Sequence, residues 1–441
     1  MESRPRTVKE LLVEGKDVSE LMVDLAYAAV FYGDKLVAEE VLRLERAMDR
    51  VLEEIRMMCL VAARNREDAR GLAGVLGLAD SIEDIANSAE EIAEVVLHDI
   101  GVPPELLEDL RQAEEVVTRV TVEAGSGLAG RTLGEIALPS HTGMWVIGLR
   151  RDADWRFGPA WDQDVREGDV LFLQGPPGGV AGARELAAGA PTAGGPTTQK
   201  PTTGKPSAGS GPGERGDPPE ADAEPSQPSS TPGSSTLPHL DRAVDLVVEL
   251  KDTSEVAIGL AYSAILLQEG KLAREVRAIE ETSDSLYHEL ELWVLRAAAE
   301  GGPPERLRGL LHISAASERI VDAARSMTRL VEGDEPPHPI VAHAFSETAE
   351  IPVEVNVAQD CQGAGRTLGG LQLQTETGME VLAIQRGSRW MYRPRSTRSL
   401  QPGDRILALG PEDGIPRLRS LCGDPRPPED RGWYDPEADP E

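Results

Sequence analysis

Gly130-Arg131-Thr132-Leu133-Gly134 recurs as Gly365-Arg366-Thr367-Leu368-Gly369, and the same displacement of 235 positions runs through much of the 441-residue chain. Downstream, Thr142-Gly143-Met144 returns as Thr377-Gly378-Met379, Trp155 as Trp390, Gly168-Asp169 as Gly403-Asp404, and Gly175-Pro176 as Gly410-Pro411. Upstream, Lys16-Asp17 matches Lys251-Asp252, Leu25-Ala26-Tyr27 matches Leu260-Ala261-Tyr262, and Glu45 with Asp49 matches Glu280 with Asp284. A constant offset over about 160 residues marks a duplication without net insertion.

Each copy changes character partway along. From Val18 to Arg64 and from Ala69 to Leu97, apolar residues such as Leu36, Val41, Leu44, Met48, Leu52 and Ile55 recur at helical spacing among charged ones. This predicts three long amphipathic helices. A short helix is expected after Gly101-Val102-Pro103-Pro104; then Val117–Val122, Trp145–Leu149 and Val170–Leu173 read as strands, with turns at Asp152–Asp154 and Gly168-Asp169. The predicted fold class is α+β: a tandem duplication of a helical bundle followed by a small mixed α/β domain. Residues 190–236 contain no Val, Ile, Leu, Met or aromatic residue and cannot offset the entropy of ordering. Expected boundaries are therefore 7–112 and 239–347 for the bundles, 113–178 and 348–423 for the mixed domains, 179–238 for a disordered Pro/Gly/Ser/Thr linker, and 424–441 for a loose acidic tail.

Charge narrows the function. Lys plus Arg number 45 against 76 Asp plus Glu, a net charge of -31, which repels phosphate backbones and argues against a nucleic-acid partner. The basic residues are 7 Lys and 38 Arg; with the acid excess this resembles proteins of halophilic organisms and implies a fold that loosens as salt is withdrawn. The most apolar run, Leu21–Phe31, is broken by Asp24, so no membrane insertion is expected. The beginning, Met1–Asp17, lacks a secretory layout and Cys59, Cys361 and Cys422 form no CxxC pair, which together predict a cytoplasmic location.

Catalytic patterns fail on inspection, so no enzymatic activity is expected. Gly125-Ser126-Gly127-Leu128-Ala129-Gly130 spells a dinucleotide pattern, but the second copy keeps only Gly365, and no ribose-binding acid on a second parallel strand follows. Gly204-Lys205 precedes a proline inside the linker. His338 and His343 have Pro103 at the first matching position, which disfavours a zinc site. Paired acids are the stronger signal: Glu45 with Asp49, Glu280 with Asp284, and Glu318 with Asp322 stand at i and i+4, on one helix face each. Facing helices carrying such pairs can hold a cation, although solvated acidic faces are common and Asn87 replaces the acid matching Asp322.

These residues suggest two families. The helical half, with Leu-Ala-Tyr, Ala38-Glu39-Glu40-Val41 and Glu318-Arg319-Ile320-Val321-Asp322, resembles PhoU regulators, whose acid-x-x-x-Asp motif can bind metal. The mixed half, with Gly130-Arg131-Thr132-Leu133, Thr142-Gly143, Arg150-Arg151, Pro159 and Gly168-Asp169, resembles the C-terminal regulatory domain of TrkA-type proteins, the RCK C-terminal domain. The order is similar to that of halophilic-archaeal proteins associated with potassium channels. The resemblance implies domains that pair within one chain or across a homodimer, bind a small ligand such as cyclic di-AMP, and control a membrane potassium channel or transporter. The alternative, from the helical halves, is a PhoU-like adaptor in phosphate uptake or its signalling. Arg131, Thr142, Arg150 and Arg151, with Arg366, Thr377 and Arg386, are then the candidate ligand-binding residues, the guanidinium groups offering forks for a phosphate.

Overall fold

Thr7 opens the first helix with a capping box: its hydroxyl accepts the Glu10 N–H, and the Glu10 carboxylate accepts the Thr7 N–H. Gly33, at φ +59°, ends that helix, and the very next residue, Asp34, caps the second one. The structure, a computed structural model, describes residues 6–109, 116–151, 154–157, 159–188, 238–333, 338–345, 351–387, 389–392 and 394–427. The first bundle is α1 (Val8–Tyr32), α2 (Lys35–Ala62) and α3 (Arg66–Leu97), followed by α4 (Pro104–Asp109). Its counterpart is α8 (Pro238–Leu267), α9 (Gly270–Ala299) and α10 (Pro304–Met327), followed by α11 (Pro339–Phe345). The three predicted long helices are therefore present in each copy.

The first mixed domain contains β1 (Val116–Thr121), α5 (Leu133–Ile136), α6 (Leu138–Thr142), β2 (Trp145–Arg151), β3 (Asp154–Phe157), β4 (Val170–Gly175) and α7 (Gly179–Ala187). The second contains β5 (Ile351–Asn356), α12 (Leu368–Leu371), α13 (Leu373–Thr377), β6 (Glu380–Arg386), β7 (Arg389–Tyr392), β8 (Arg405–Gly410) and α14 (Ile415–Cys422). Both sheets are antiparallel, in the orders β1-β4-β2-β3 and β5-β8-β6-β7. Four local expectations are corrected. Asp154 belongs to a strand, because β2 runs on through Arg150 and Arg151, which pair with Trp155 and Asp154. Residues 179–187, expected in the linker, form α7, whose buried Ala183 and Ala187 close the domain core. The tail remains packed to residue 427, since Asp424 accepts the Asn356 N–H at 2.8 Å and pairs with Arg426. Pro238, expected to end the linker, begins α8; residues 189–237 of the expected linker, and the tail from 428, lie outside the described residues.

Alternation places the sheets. Leu171 and Leu173 face the core of their own domain, while Phe172 between them enters the helical core. The register of β2 against β4 slips between Val146 and Gly148, and that of β6 against β8 between Val381 and Ala383. The residues at these bulges, Ile147 and Leu382, are thereby turned into the helical core.

One apolar core runs through both bundles, with α3 against α10 and the Tyr27 hydroxyl 2.7 Å from the Ser317 hydroxyl. Two exchanged contacts relate the copies. The Lys16 ammonium lies 4.9 Å from the Tyr262 ring centre, and the Lys251 ammonium 5.5 Å from that of Tyr27. In the mixed domains α6 meets α13: a Cβ on Gly143 would come 2.6 Å from the Gln374 carbonyl oxygen, and one on Gly378 2.7 Å from that of Pro139. These glycines also have φ of +71° and +73°, so they serve the turn and the close approach together. Gly143→Ala and Gly378→Ala are each expected to cost more than about 1 kcal/mol in urea unfolding; wild-type stability in both would refute this contact.

Candidate functional site

Arg151 and Arg386 sit at the ends of equivalent strands and turn inward. Arg151 grips Asp169 with two hydrogen bonds of 2.9 and 2.8 Å and donates to the Asp164 carbonyl at 2.7 Å. Arg386 grips Asp404 with two of 2.8 Å and donates to the Ser399 carbonyl at 2.9 Å. Asp169 and Asp404 are 1% exposed, so each arginine neutralises a carboxylate that its domain has buried. Arg131 and Arg366 are exposed and donate to the Glu135 and Gly370 carbonyls at the ends of the short helices α5 and α12. Thr142 and Thr377 hold turns: each hydroxyl donates to a carbonyl four residues back and accepts the N–H two residues on. Arg150 lies on β2, half-buried, beside its partner in the ladder, Trp155. The sequence-predicted ligand residues therefore do not converge on one cleft.

The carboxylates do converge, in the second copy. Glu280 and Asp284 on α9 and Asp322 on α10 each offer an oxygen, all within 4.8 Å of one another. That spacing suits a hard cation, whose oxygen ligands stand about 2.0–2.6 Å from it. Glu318, one turn before Asp322, is pushed up to about 7 by burial and by the charges of Asp322 and Asp284. Glu280 and Asp322 are raised as well, first by burial and then by neighbouring acids. In the first copy Glu45 is raised by burial, Asp49 and Glu90, but Asn87 stands in place of the third acid. Among the described residues only the second copy gathers three ligand atoms.

Sequence reasoning missed a third place. A cavity of about 420 Å³ opens where both sheets meet α1 and α8. Its walls include Asp17, Glu20 and Asp24 of α1, Glu255 of α8, and Trp145 and Trp161 of the first mixed domain. Lys16 holds Glu20 at 2.5 Å and Lys251 holds Glu255 at 2.7 Å, with the lysine side chains 4% and 7% exposed. Burial pushes Asp17 up to about 6, against the lowering pull of Lys16. None of the predicted arginines lines this cavity. The available signal was asymmetry: Trp145 and Trp161 align with Glu380 and Ser396.

The acid cluster has a measurable consequence. Glu318 holds its proton to about 7 in the folded chain against 4.5 ordinarily, so the folded state binds more protons between those values and stability falls as pH rises through that window. The thermal midpoint is expected to drop from pH 5 to pH 8, Glu318→Gln to flatten the drop, and Mn²⁺ at pH 8 to restore the midpoint except in Asp284→Asn. A midpoint indifferent to both pH and Mn²⁺ would contradict this.

The TrkA-C domain matches residues 117–188 and 353–423, and the PhoU domain matches residues 12–96 and 247–331. No curated protein matches the chain. Among solved structures, PhoU from Pseudomonas aeruginosa is similar at 13% identity, over 74% of this chain and 93% of that one, with a TM-score of 0.36. The GsuK channel bound to NAD is similar at 15% identity over 70% of this chain and 53% of its own, with a TM-score of 0.17. The GsuK RCK domain, also at 15% identity and a TM-score of 0.17, is covered over 64% of its chain, and 70% of the present chain is matched. The chain is thus built of PhoU and TrkA-C domains in tandem, each PhoU domain followed by a TrkA-C domain.

Proposed function

We propose that this is a cytoplasmic, non-enzymatic regulator in which the two TrkA-C domains sense a small ligand and pass its occupancy to a potassium channel or transporter. The observation that carries the reading is the position of the cavity, bounded at once by both sheets and by α1 and α8. A ligand that fills it binds one arrangement of sheets against helices better than another, and couplings of about 1–3 kcal/mol are sufficient to bias a gate. The two TrkA-C domains, of the kind that the sequence likens to the RCK C-terminal domain, support the choice of partner. Among the described residues no helix is long and apolar enough to cross a membrane, which fits a regulator acting on a separate membrane protein.

A second reading, an adaptor in phosphate uptake or its signalling, is favoured by the PhoU domains and the acid cluster on α9 and α10. Uptake assays separate the two. Disrupting the gene is expected to change rubidium uptake and leave phosphate uptake as in the parent strain, with the defect complemented by the wild-type chain. Altered phosphate uptake with normal rubidium uptake would overturn the first reading in favour of the second.

A further inference from the structure

We infer that the outer edge of β1 pairs with the β1 edge of a second copy of this chain, joining the two first TrkA-C sheets into one. The duplication supplies its own comparison. Both β1 and β5 are edge strands, hydrogen-bonded on one side only, to β4 and to β8. Just beyond them, Val122 exchanges backbone hydrogen bonds with Asp169 and Gly168, and Val357 with Asp404 and Gly403. Hydrogen-bonding sides alternate along a strand, so Val117, Arg119 and Thr121 turn their backbone groups outward, as do Pro352, Glu354 and Asn356.

The β5 edge is guarded at each of these outward positions. Pro352 has no N–H to offer, Arg426 donates to the Glu354 carbonyl at 2.8 Å, and Asp424 accepts the Asn356 N–H at 2.8 Å. The β1 edge has no such guard. Val117 stands where Pro352 does, and the positions matching Asp424 and Arg426 are Gly189 and Pro191, which carry no charge. Tyr32 donates to the Val117 carbonyl at 3.0 Å, but the N–H and C=O groups of Arg119 and Thr121 have no partner among the described residues. Both residues are exposed, on a strand of three valines, two threonines and one arginine, a composition suited to pairing. Arg119 does not block the edge with its charge, because its guanidinium is folded over the Tyr32 and Phe172 rings, 4.5 and 5.4 Å from their centres.

A single open edge decides the occupant. Were β5 open as well, β1 of one chain could pair with β5 of the next, and that head-to-tail contact would run on into fibres. With β5 guarded, the open strand that the protein itself supplies is another β1, and the two-fold contact closes at two copies. Setting Arg119 opposite the second copy's Thr121, and Thr121 opposite the second copy's Arg119, satisfies all four open backbone groups of each chain. It also keeps the two arginines from standing directly opposite each other. This contact is separate from that of α6 with α13, which joins the two TrkA-C domains within one chain.

Sedimentation velocity on the full chain, run from low to high micromolar concentration, tests this, with hydrogen exchange of the Arg119 and Thr121 amides followed alongside. The expected result is a monomer–dimer equilibrium in which exchange at both amides slows by at least about tenfold as the dimer forms. Two variants are expected to stay folded and monomeric. Thr121→Pro removes an outward N–H, as Pro352 does, and Gly189→Asp combined with Pro191→Arg transplants the guard of the second copy. A dimer that persists in both variants uses another surface and overturns the inference, and so does a wild-type chain that stays monomeric with fast exchange. Slow exchange at these amides in a monomeric wild type would mean that the chain covers its own edge, which overturns it equally.

Discussion

Two lysines buried against the tyrosines of the opposite copy set the terms for this molecule. An ammonium group removed from water must find charge and aromatic surface at short range, and Lys16 and Lys251 each find a carboxylate on their own helix and a ring on the other's. Because the tyrosine comes from the sister copy, neither half satisfies its lysine alone. The apolar core that runs unbroken from α1 and α3 into α8 and α10 has the same consequence, and so does the carbonyl-to-glycine approach between α6 and α13.

The site follows from that pairing. Once α1 and α8 lie side by side, the carboxylates that face their lysines also face the space beneath the two sheets. The bulges at Ile147 and Leu382 deliver aliphatic side chains to the same space. The sequence differences between the copies then determine chemistry where the shared residues determine shape: indoles on one side, a carboxylate and a serine at the matching positions on the other. Arg151 and Arg386, shared by both copies, are engaged with buried aspartates inside their own sheets.

Much of the architecture was legible in the primary structure because duplication and helical periodicity are local or self-comparing signals. The 235-residue offset exposed both copies, and the spacing of Leu44, Met48, Leu52 and Ile55 predicted α2. The Arg151–Asp169 pair was harder to foresee, since residues eighteen apart meet only when β2 lies antiparallel to β4. The cavity was invisible for a stronger form of the same reason. Asp24, Trp145, Glu255 and Leu409 come from four distant segments, and each reads as ordinary surface or core until both copies are assembled. Boundaries failed where a glycine-led segment, Gly179–Ala187, looked like the beginning of the linker but carries the alanines that seal the first TrkA-C core.

The claim that two copies make one body is most directly tested by cutting the chain between them. A single protease site introduced between residues 189 and 237 and cleaved in the intact, folded protein should leave both fragments co-eluting as a one-to-one complex in gel filtration. Fragments that separate into two stable, independent species at micromolar concentration would contradict the account.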